Sequence, residues 1–304
     1  MVDTVLLIAF GGPTASHEIR PFLANVTRGR RISDARLEDV ARHYERMPGG
    51  RSPLNDLTLA QARALGEALA RRGTPLEVRV GLRNWHPYLH ETLRELAERG
   101  RRRCLGIIMS SLRCEASWDR YQRDVAEGLA LVGGVPEVVF APPWSEHPGF
   151  VEALVDRTRD ALCARPEHRR RSTPLVFTAH SIPVTMADAS PYVDDFTRLS
   201  RAVAGSLGSE RWSLAYQSRS GRPEDPWLEP DVNAVLKSLA ADGERHAVIV
   251  PVGFVCDHVE VLYDLDVEAV ETARAHGLTV HRAATVSDHP AFIAGLADLV
   301  ATIA

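Results

Sequence analysis

Two places in this chain gather residue types that do proton and metal chemistry. The first is Ala179-His180-Ser181-Ile182-Pro183, directly after the apolar run "PLVFT". A histidine at the carboxyl edge of a strand, with a proline close behind, is placed to act as a base or a ligand. A histidine bonded to a neighbouring loop fits the same pattern. The second is "GFVCDHVEVLYDLDVEA", Gly253 to Ala269, where Asp257, Glu260, Asp264, Asp266 and Glu268 crowd together with His258 among them. Like charges this close repel unless water or a cation relieves them. Asp257 followed by Glu260 has the outline of a capping box, and acids in a first turn complement the helix dipole. Capping leaves Asp264 and Glu268 unexplained. Glu260, Asp264 and Glu268 recur at four-residue spacing, a line along a helix that a π-bulge would straighten. Carboxylates suit divalent metals and histidine suits iron and zinc. His180 and Glu260 each follow a strand of the same lobe, so they are expected to be neighbours that strip protons and guide a metal.

The elements that must position these residues alternate. Strands are expected at "TVLLIAF", "LEVRVGL", "CLGIIMS", "PEVVFA", "PLVFTAH", "SLAYQS", "HAVIVPVGF" and "LTVHRA". Amphipathic helices are expected between them, among them Leu57 to Arg72, Trp118 to Val132, Tyr192 to Leu207 and His289 to Ile303. Strand–helix alternation predicts an α/β protein with parallel sheets covered on both faces. Each half opens alike, with "LLIAFGGP" and then "LVFTAHSIP", which predicts two doubly wound, Rossmann-like lobes with an interlobe cleft. The lobes are expected over residues 1–145 and 146–304, joined near "PPWSEHP", with the last helix packing back on the first lobe.

Composition narrows the function classes. The chain has 304 residues, net charge −4, 45% hydrophobic and 25% charged residues, ordinary for a soluble globular protein. No lobe is basic enough for nucleic acid. No apolar run reaches the roughly 18 residues of a membrane span, and the N-terminus enters a strand without a basic leader. A cytoplasmic protein is expected. Cys104, Cys114, Cys163 and Cys256 match no zinc or iron–sulfur spacing and read as buried free thiols.

Other segments complete the picture. Phe10-Gly11-Gly12-Pro13 lacks the glycine spacing and lysine of nucleotide loops, and Phe10 reads as a flat apolar wall. "NVTRGRRI" concentrates cations suited to carboxylates or phosphates on a loop or helix end. "GGRSPLND" carries Ser52, whose hydroxyl and backbone suit an anionic group. For both segments a solvated loop is the alternative. "YQSRSGRPEDPWLEPDV" is long enough to be a functional loop.

The segments "LIAFGGP", "FLANVTRGR", "GGRSPLND", "GLRNWHPY", "FTAHSIP", "AYQSRSG", "PWLEPDV" and "PVGFVCDHVEVLYDLDVEA" together resemble the ferrochelatase family over nearly the whole chain, nearest to its actinobacterial branch. The resemblance implies insertion of ferrous iron into a porphyrin, in that branch coproporphyrin III, to give coproheme. It implies His180 as the catalytic histidine, Glu260 as its acidic partner, and Asp264 and Glu268 as a proton or metal path. It places Phe10 on the opposite porphyrin face, where some relatives carry a tyrosine, and Tyr44, Ser52 and Tyr121 near the propionates. Arg28 and Arg30 belong to the same basic loop. Iron is then a substrate, no tightly bound cofactor is expected, and the protein is expected to act as a monomer.

The chain also departs from the family. "MSSLRCEASWDRY" carries Leu112, Arg113, Glu115 and Trp118 where relatives have small or hydroxyl residues. Trp118 falls where many actinobacterial relatives have the first cysteine of a [2Fe–2S] cluster, and no cysteine follows Cys256, so no cluster is expected. The altered segment leaves open a paralogue acting on another tetrapyrrole. A porphyrin or haem carrier without catalysis is a further alternative, against which the retained acidic line counts.

Overall fold

The computed structural model describes residues 1–29, 32–222 and 224–303. Among these residues, eight strands form two four-stranded parallel sheets. The first contains β1 (Thr4–Ala9), β2 (Glu77–Leu82), β3 (Arg103–Ile108) and β4 (Glu137–Phe140) in the order β2-β1-β3-β4. The second contains β5 (Leu175–His180), β6 (Trp212–Gln217), β7 (His246–Val250) and β8 (Thr279–Arg282) in the order β6-β5-β7-β8. The second sheet repeats the strand order of the first, as the matched openings of the two halves anticipated. Parallel strands need crossover helices, so the sheets are covered by helices and their central strands are mostly apolar. β1 is buried along its whole length, and β5 is buried up to the residue before His180.

The chain divides into two compact units. One comprises Met1–Ser110, Ala116–Pro142 and the chain from Ile293 onward. The other comprises Ser111–Glu115 and Pro143–Phe292. In the first, Leu6, Ile8, Leu89, Leu93, Ile108 and Val125 form a buried cluster. The helix Pro290–Ala301 is tied to this unit near its end, where Arg72 bonds the Asp298 carboxylate at 2.7 Å and the Ala294 carbonyl at 3.2 Å. In the second, Val176, Ala247 and Ile249 of the sheet pack against Val261, Leu265 and Ala269. The apolar side of the acidic stretch is therefore anchored in the core, which leaves its polar side for chemistry.

Two sequence expectations change. β7 ends at Val250 and does not run on to Phe254, because Pro251 has no N–H to give the ladder. The Val252 amide instead turns back to the Val250 carbonyl, and Gly253 N–H rejoins β5 at the Thr178 carbonyl. A Cβ on Gly253 would lie 2.8 Å from the Ala179 Cα and Cβ, so only glycine lets the chain pass this close to the residue before His180. Helices over Ile19–Val26 and Asp34–Arg46 also stand where none was assigned, the second capped by the Ser33 hydroxyl accepting from Arg36 N–H.

Candidate active site

His180 is the last residue of β5. Its turn is held from several sides: Ser181 N–H donates to the Gln217 carbonyl at 2.7 Å, Ser181 Oγ to the Leu228 carbonyl at 2.8 Å, and Leu228 N–H to the Ile182 carbonyl at 3.0 Å. The long polar segment after β6 thus braces the histidine turn. Within it Gly221 lies against Trp227, whose indole leaves no room for a side chain there. The Tyr192 hydroxyl, from the helix Tyr192–Leu207, donates to the His180 carbonyl at 2.8 Å. His180 Nδ1 contacts the Ser181 carbonyl and so carries a hydrogen, which leaves Nε2 facing outward.

That Nε2 meets Glu260 Oε1 at 3.4 Å, with 27% and 34% of the two side chains exposed. The expected pairing of His180 with Glu260 is present. The other carboxylate oxygen, Oε2, is 3.2 Å from His258 Nε2, and His258 Nδ1 is 3.2 Å from the Cys256 carbonyl. The His258 ring lies 4.9 Å from that of Phe254. Glu260 is therefore flanked by two imidazoles, each oriented through Nδ1 by a backbone carbonyl. Gln217 Nε2 donates to the Glu260 carbonyl and fixes the backbone as well.

The acids beyond Glu260 divide into two sets. Asp257 does not cap the helix: its carboxylate accepts from Arg282 at 3.2 Å and from Thr285 Oγ1 at 3.0 Å, while His258 in extended conformation stands at the N-cap. The capping-box reading fails because a cation from the end of β8 reaches Asp257 first. Arg282 also grips Asp266 with two bonds, at 2.6 and 2.8 Å, and is only 13% exposed. Two of the five acids therefore gather a guanidinium. Asp264 accepts instead from the Ser218 hydroxyl, held at a positive φ of 62°. Asp264–Ala269 is a π-helix, closed by Glu268 N–H donating to the Tyr263 carbonyl at 3.0 Å. Along the line the burial falls, with Glu260 and Asp264 partly covered and Glu268 exposed.

The charges follow from these contacts. Burial by itself favours neutral His180, but the Glu260 charge, its hydrogen bond and the Ser181 carbonyl outweigh it and raise His180 to about 9. Burial likewise opposes the Glu260 carboxylate, yet His180 and His258 hold it well below the usual carboxylate range. Asp264 is pushed up to about 7, first by burial and then by the Glu260 and Glu268 charges, against the Ser218 bond. The site pairs a proton-loaded histidine with an ionised glutamate, and next to them stands a carboxyl that titrates near neutrality. Among the described residues, no group of three or more His, Cys, Asp or Glu side chains is arranged to hold a metal ion.

The remaining candidates lie in the first unit. Phe10, 37% exposed, follows β1 and packs edge-on to Phe22, which also meets Tyr44 and Trp85. The Arg83 guanidinium stands 6.0 Å from the Phe10 ring centroid. Ser52 is buried, its N–H donating to the Pro13 carbonyl at 2.8 Å and its Oγ accepting from Leu54 N–H at 3.3 Å. Gly12 leaves no room for a Cβ against Ser52 and donates to Asn55 Oδ1 at 2.8 Å. Phe10, Tyr44 and Ser52 thus gather around the loop after β1. Tyr121 packs in the buried cluster with Leu6, Ile8 and Trp118. Arg28 is exposed and bonds Asn25 Oδ1 at 2.8 Å, while Arg30 lies outside the described residues.

Sequence reasoning missed His258, Gln217, Ser218, Tyr192 and Arg282. His258 was visible in the acidic stretch, but only an extended residue immediately before the helix turns it back onto Glu260. The others come from separate strands and helices and leave no spacing signature.

The ferrochelatase family model matches residues 2–303. The chain is similar to the coproporphyrin III ferrochelatase of Frankia alni, 47% identical with 98% of this chain and 79% of that protein covered. It is similar to the coproporphyrin III ferrochelatase of Mycolicibacterium smegmatis, 42% identical with 98% and 88% covered. Among solved structures, SirB from Bacillus subtilis with Fe3+ shares the fold, with a TM-score of 0.60 at 12% identity, covering 99% of this chain and 95% of that one. No helix among the described residues is long and apolar enough to cross a membrane. With a family match over nearly its whole length and relatives of this family at 42% and 47% identity, the chain belongs to the ferrochelatase family.

Proposed function

We propose that this chain inserts ferrous iron into coproporphyrin III to give coproheme. The observation that carries the reaction is the 3.4 Å contact of His180 Nε2 with Glu260 Oε1 in a chain of this family. The substrate follows the relatives at 42% and 47% identity, which bear that name.

Metallation exchanges two pyrrole protons for one divalent ion that must shed its water. Below about pH 9 His180 holds a proton against Glu260, so it has no free lone pair. A divalent cation arriving at Glu260 competes for the same carboxylate charge. This reverses the electrostatics that keep the proton on Nε2; that proton passes to ionised Asp264, and His180 becomes a neutral base as the metal arrives. His180 then takes the two pyrrole protons in turn and hands each to Asp264. Asp264, poised about pH 7, passes protons toward exposed Glu268. Phe10 supplies an apolar wall for the macrocycle, and Arg28 with Arg30 supplies cations for its carboxylates. Tyr44 and Ser52 support that surface from buried positions, and Tyr121 packs in the core beneath β1. Steady-state metallation of coproporphyrin III and protoporphyrin IX tests the assignment. A higher kcat/KM for coproporphyrin III is expected, and preference for another tetrapyrrole overturns the substrate.

A further inference from the structure

Ser111–Glu115 interrupts the first unit. The chain leaves it after Ser110, contributes these residues to the second unit, and returns at Ala116. Ser111 and Arg113 of this segment each bond to chain that supports the histidine turn. Arg113 forms a two-pronged bond with Asp195, Nε to Oδ2 at 2.7 Å and Nη2 to Oδ1 at 2.7 Å. Asp195 is 0% exposed. Arg198 reaches the same carboxylate at 2.5 Å. The arrangement differs from a surface ion pair, because the carboxylate is buried and two guanidinium groups share it.

Asp195 sits one turn after Tyr192 on the helix whose Tyr192 hydroxyl holds the His180 carbonyl. Cys114 lies within electrostatic reach of the Tyr192 phenol. At the other end of the segment, buried Ser111 Oγ donates to the Val252 carbonyl at 3.0 Å. Val252 immediately precedes Gly253, which rejoins β5 at Thr178. The segment therefore grips the support of His180 on both sides, through the helix that carries Tyr192 and through the chain that follows β7.

We propose that Arg113 is a positioning residue: by anchoring Ser111–Glu115 to Asp195 it sets the helix that holds the His180 backbone, and with it the aim of the histidine. The proposal rests on His180 acting in iron insertion. Misplacement of a reacting group by about an ångström costs up to roughly 100-fold in rate, so loss of the anchor is expected in kcat. Porphyrin affinity, carried by other residues, is expected to hold.

The test uses the full chain with Arg113→Met, Arg113→Lys, and the double variant Arg113→Met/Asp195→Leu, which removes both charges while keeping packing. Amide hydrogen exchange over Ala179–Ile182 is measured without metal or porphyrin, together with kcat and KM for iron and porphyrin. Arg113→Met is expected to speed exchange there and lower kcat roughly 10- to 100-fold, with porphyrin KM within about twofold. Arg113→Lys is expected to recover much of the loss. The double variant, if the single one fails to fold, is expected to stay slow. Unchanged exchange at Ala179–Ile182, or kcat per folded molecule within about twofold of the parent, overturns the proposal. If the parent chain metallates no porphyrin, the iron-insertion reading falls, and the exchange measurement still decides the role of Arg113.

Discussion

Replacing Glu260 with glutamine isolates the interaction at the centre of the site. The substitution keeps the shape of the side chain and removes its charge. Three influences act most on His180: burial, which favours the neutral ring, and the Glu260 charge and hydrogen bond, which favour the cation. With Glu260 ionised the balance places His180 at about 9. Without that charge burial prevails, and only the Ser181 carbonyl and Asp264 still favour the cation. The midpoint is expected to fall well below about 9. The sign for stability follows. A histidine raised in the folded state stabilises it fully below the unfolded value of 6.5, and that contribution is lost as pH rises through about 9. The parent protein should therefore lose stability across that window, and Glu260→Gln should not. Histidine-selective NMR titration of the metal-free protein reads the midpoint, and thermal melts at pH 6 and pH 9.5 read the linkage. Glutamine cannot balance the charge of the incoming ion, so metallation should also fall by roughly 100-fold or more. A His180 midpoint that stays near 9 in the variant refutes the reasoning, because the cation would then owe its stability to something other than Glu260.

Three further substitutions probe the surroundings. Asp264 is raised to about 7, so its contribution to stability is greatest below the ordinary 3.8 and is lost as pH rises toward 7. Asp264→Asn should flatten that part of the melting profile and slow metallation at pH 8, where the carboxylate is ionised. Arg282→Met leaves Asp257 and Asp266 without their guanidinium. Breaking a buried pair costs about 3–5 kcal/mol, reduced here to roughly 2–3 because the acids are partly exposed, which should lower the Tm by about 3–5 °C. Gly253→Ala forces a methyl group against Ala179 and should cost about 1–3 kcal/mol in chemical denaturation, with a loss of metallation larger than the loss of folded protein.

The fold was legible because its signal is repetitive. Runs such as "TVLLIA" and "LVFTA" carry no charge and only a buried threonine among their apolar residues, as expected of central parallel strands, and the two halves repeat the pattern. Less was legible where a single residue cancels a local tendency. "HAVIVPVGF" has strand composition throughout, yet Pro251 ends the ladder and Gly253 resumes contact with β5 in a different geometry. Asp34–Arg46 is so polar that only Ala41 and Tyr44 along it are buried, and its periodicity is correspondingly faint. In the candidate site, the His180–Glu260 pairing and the four-residue acidic line could be read from types and spacing, and a π-helix of the kind that would straighten that line is present. The Arg282 clamp on Asp257 and Asp266 could not be read, since an arginine at a strand end looks like any other surface charge until the fold brings the acids to it. The altered segment was legible as a departure, but its partner Asp195 lies 82 residues away in the chain.

The measurement that tests the central claim most directly is an anaerobic single-turnover reaction of ferrous iron with coproporphyrin III, followed in the Soret region for the parent chain and His180→Ala side by side. The parent is expected to convert the free-base spectrum to that of the iron porphyrin. His180→Ala should bind the porphyrin with similar affinity and convert it at least about 100-fold more slowly. A parent chain that binds coproporphyrin III tightly and takes up no iron, or a His180→Ala variant that metallates at the parent rate, would contradict the claim.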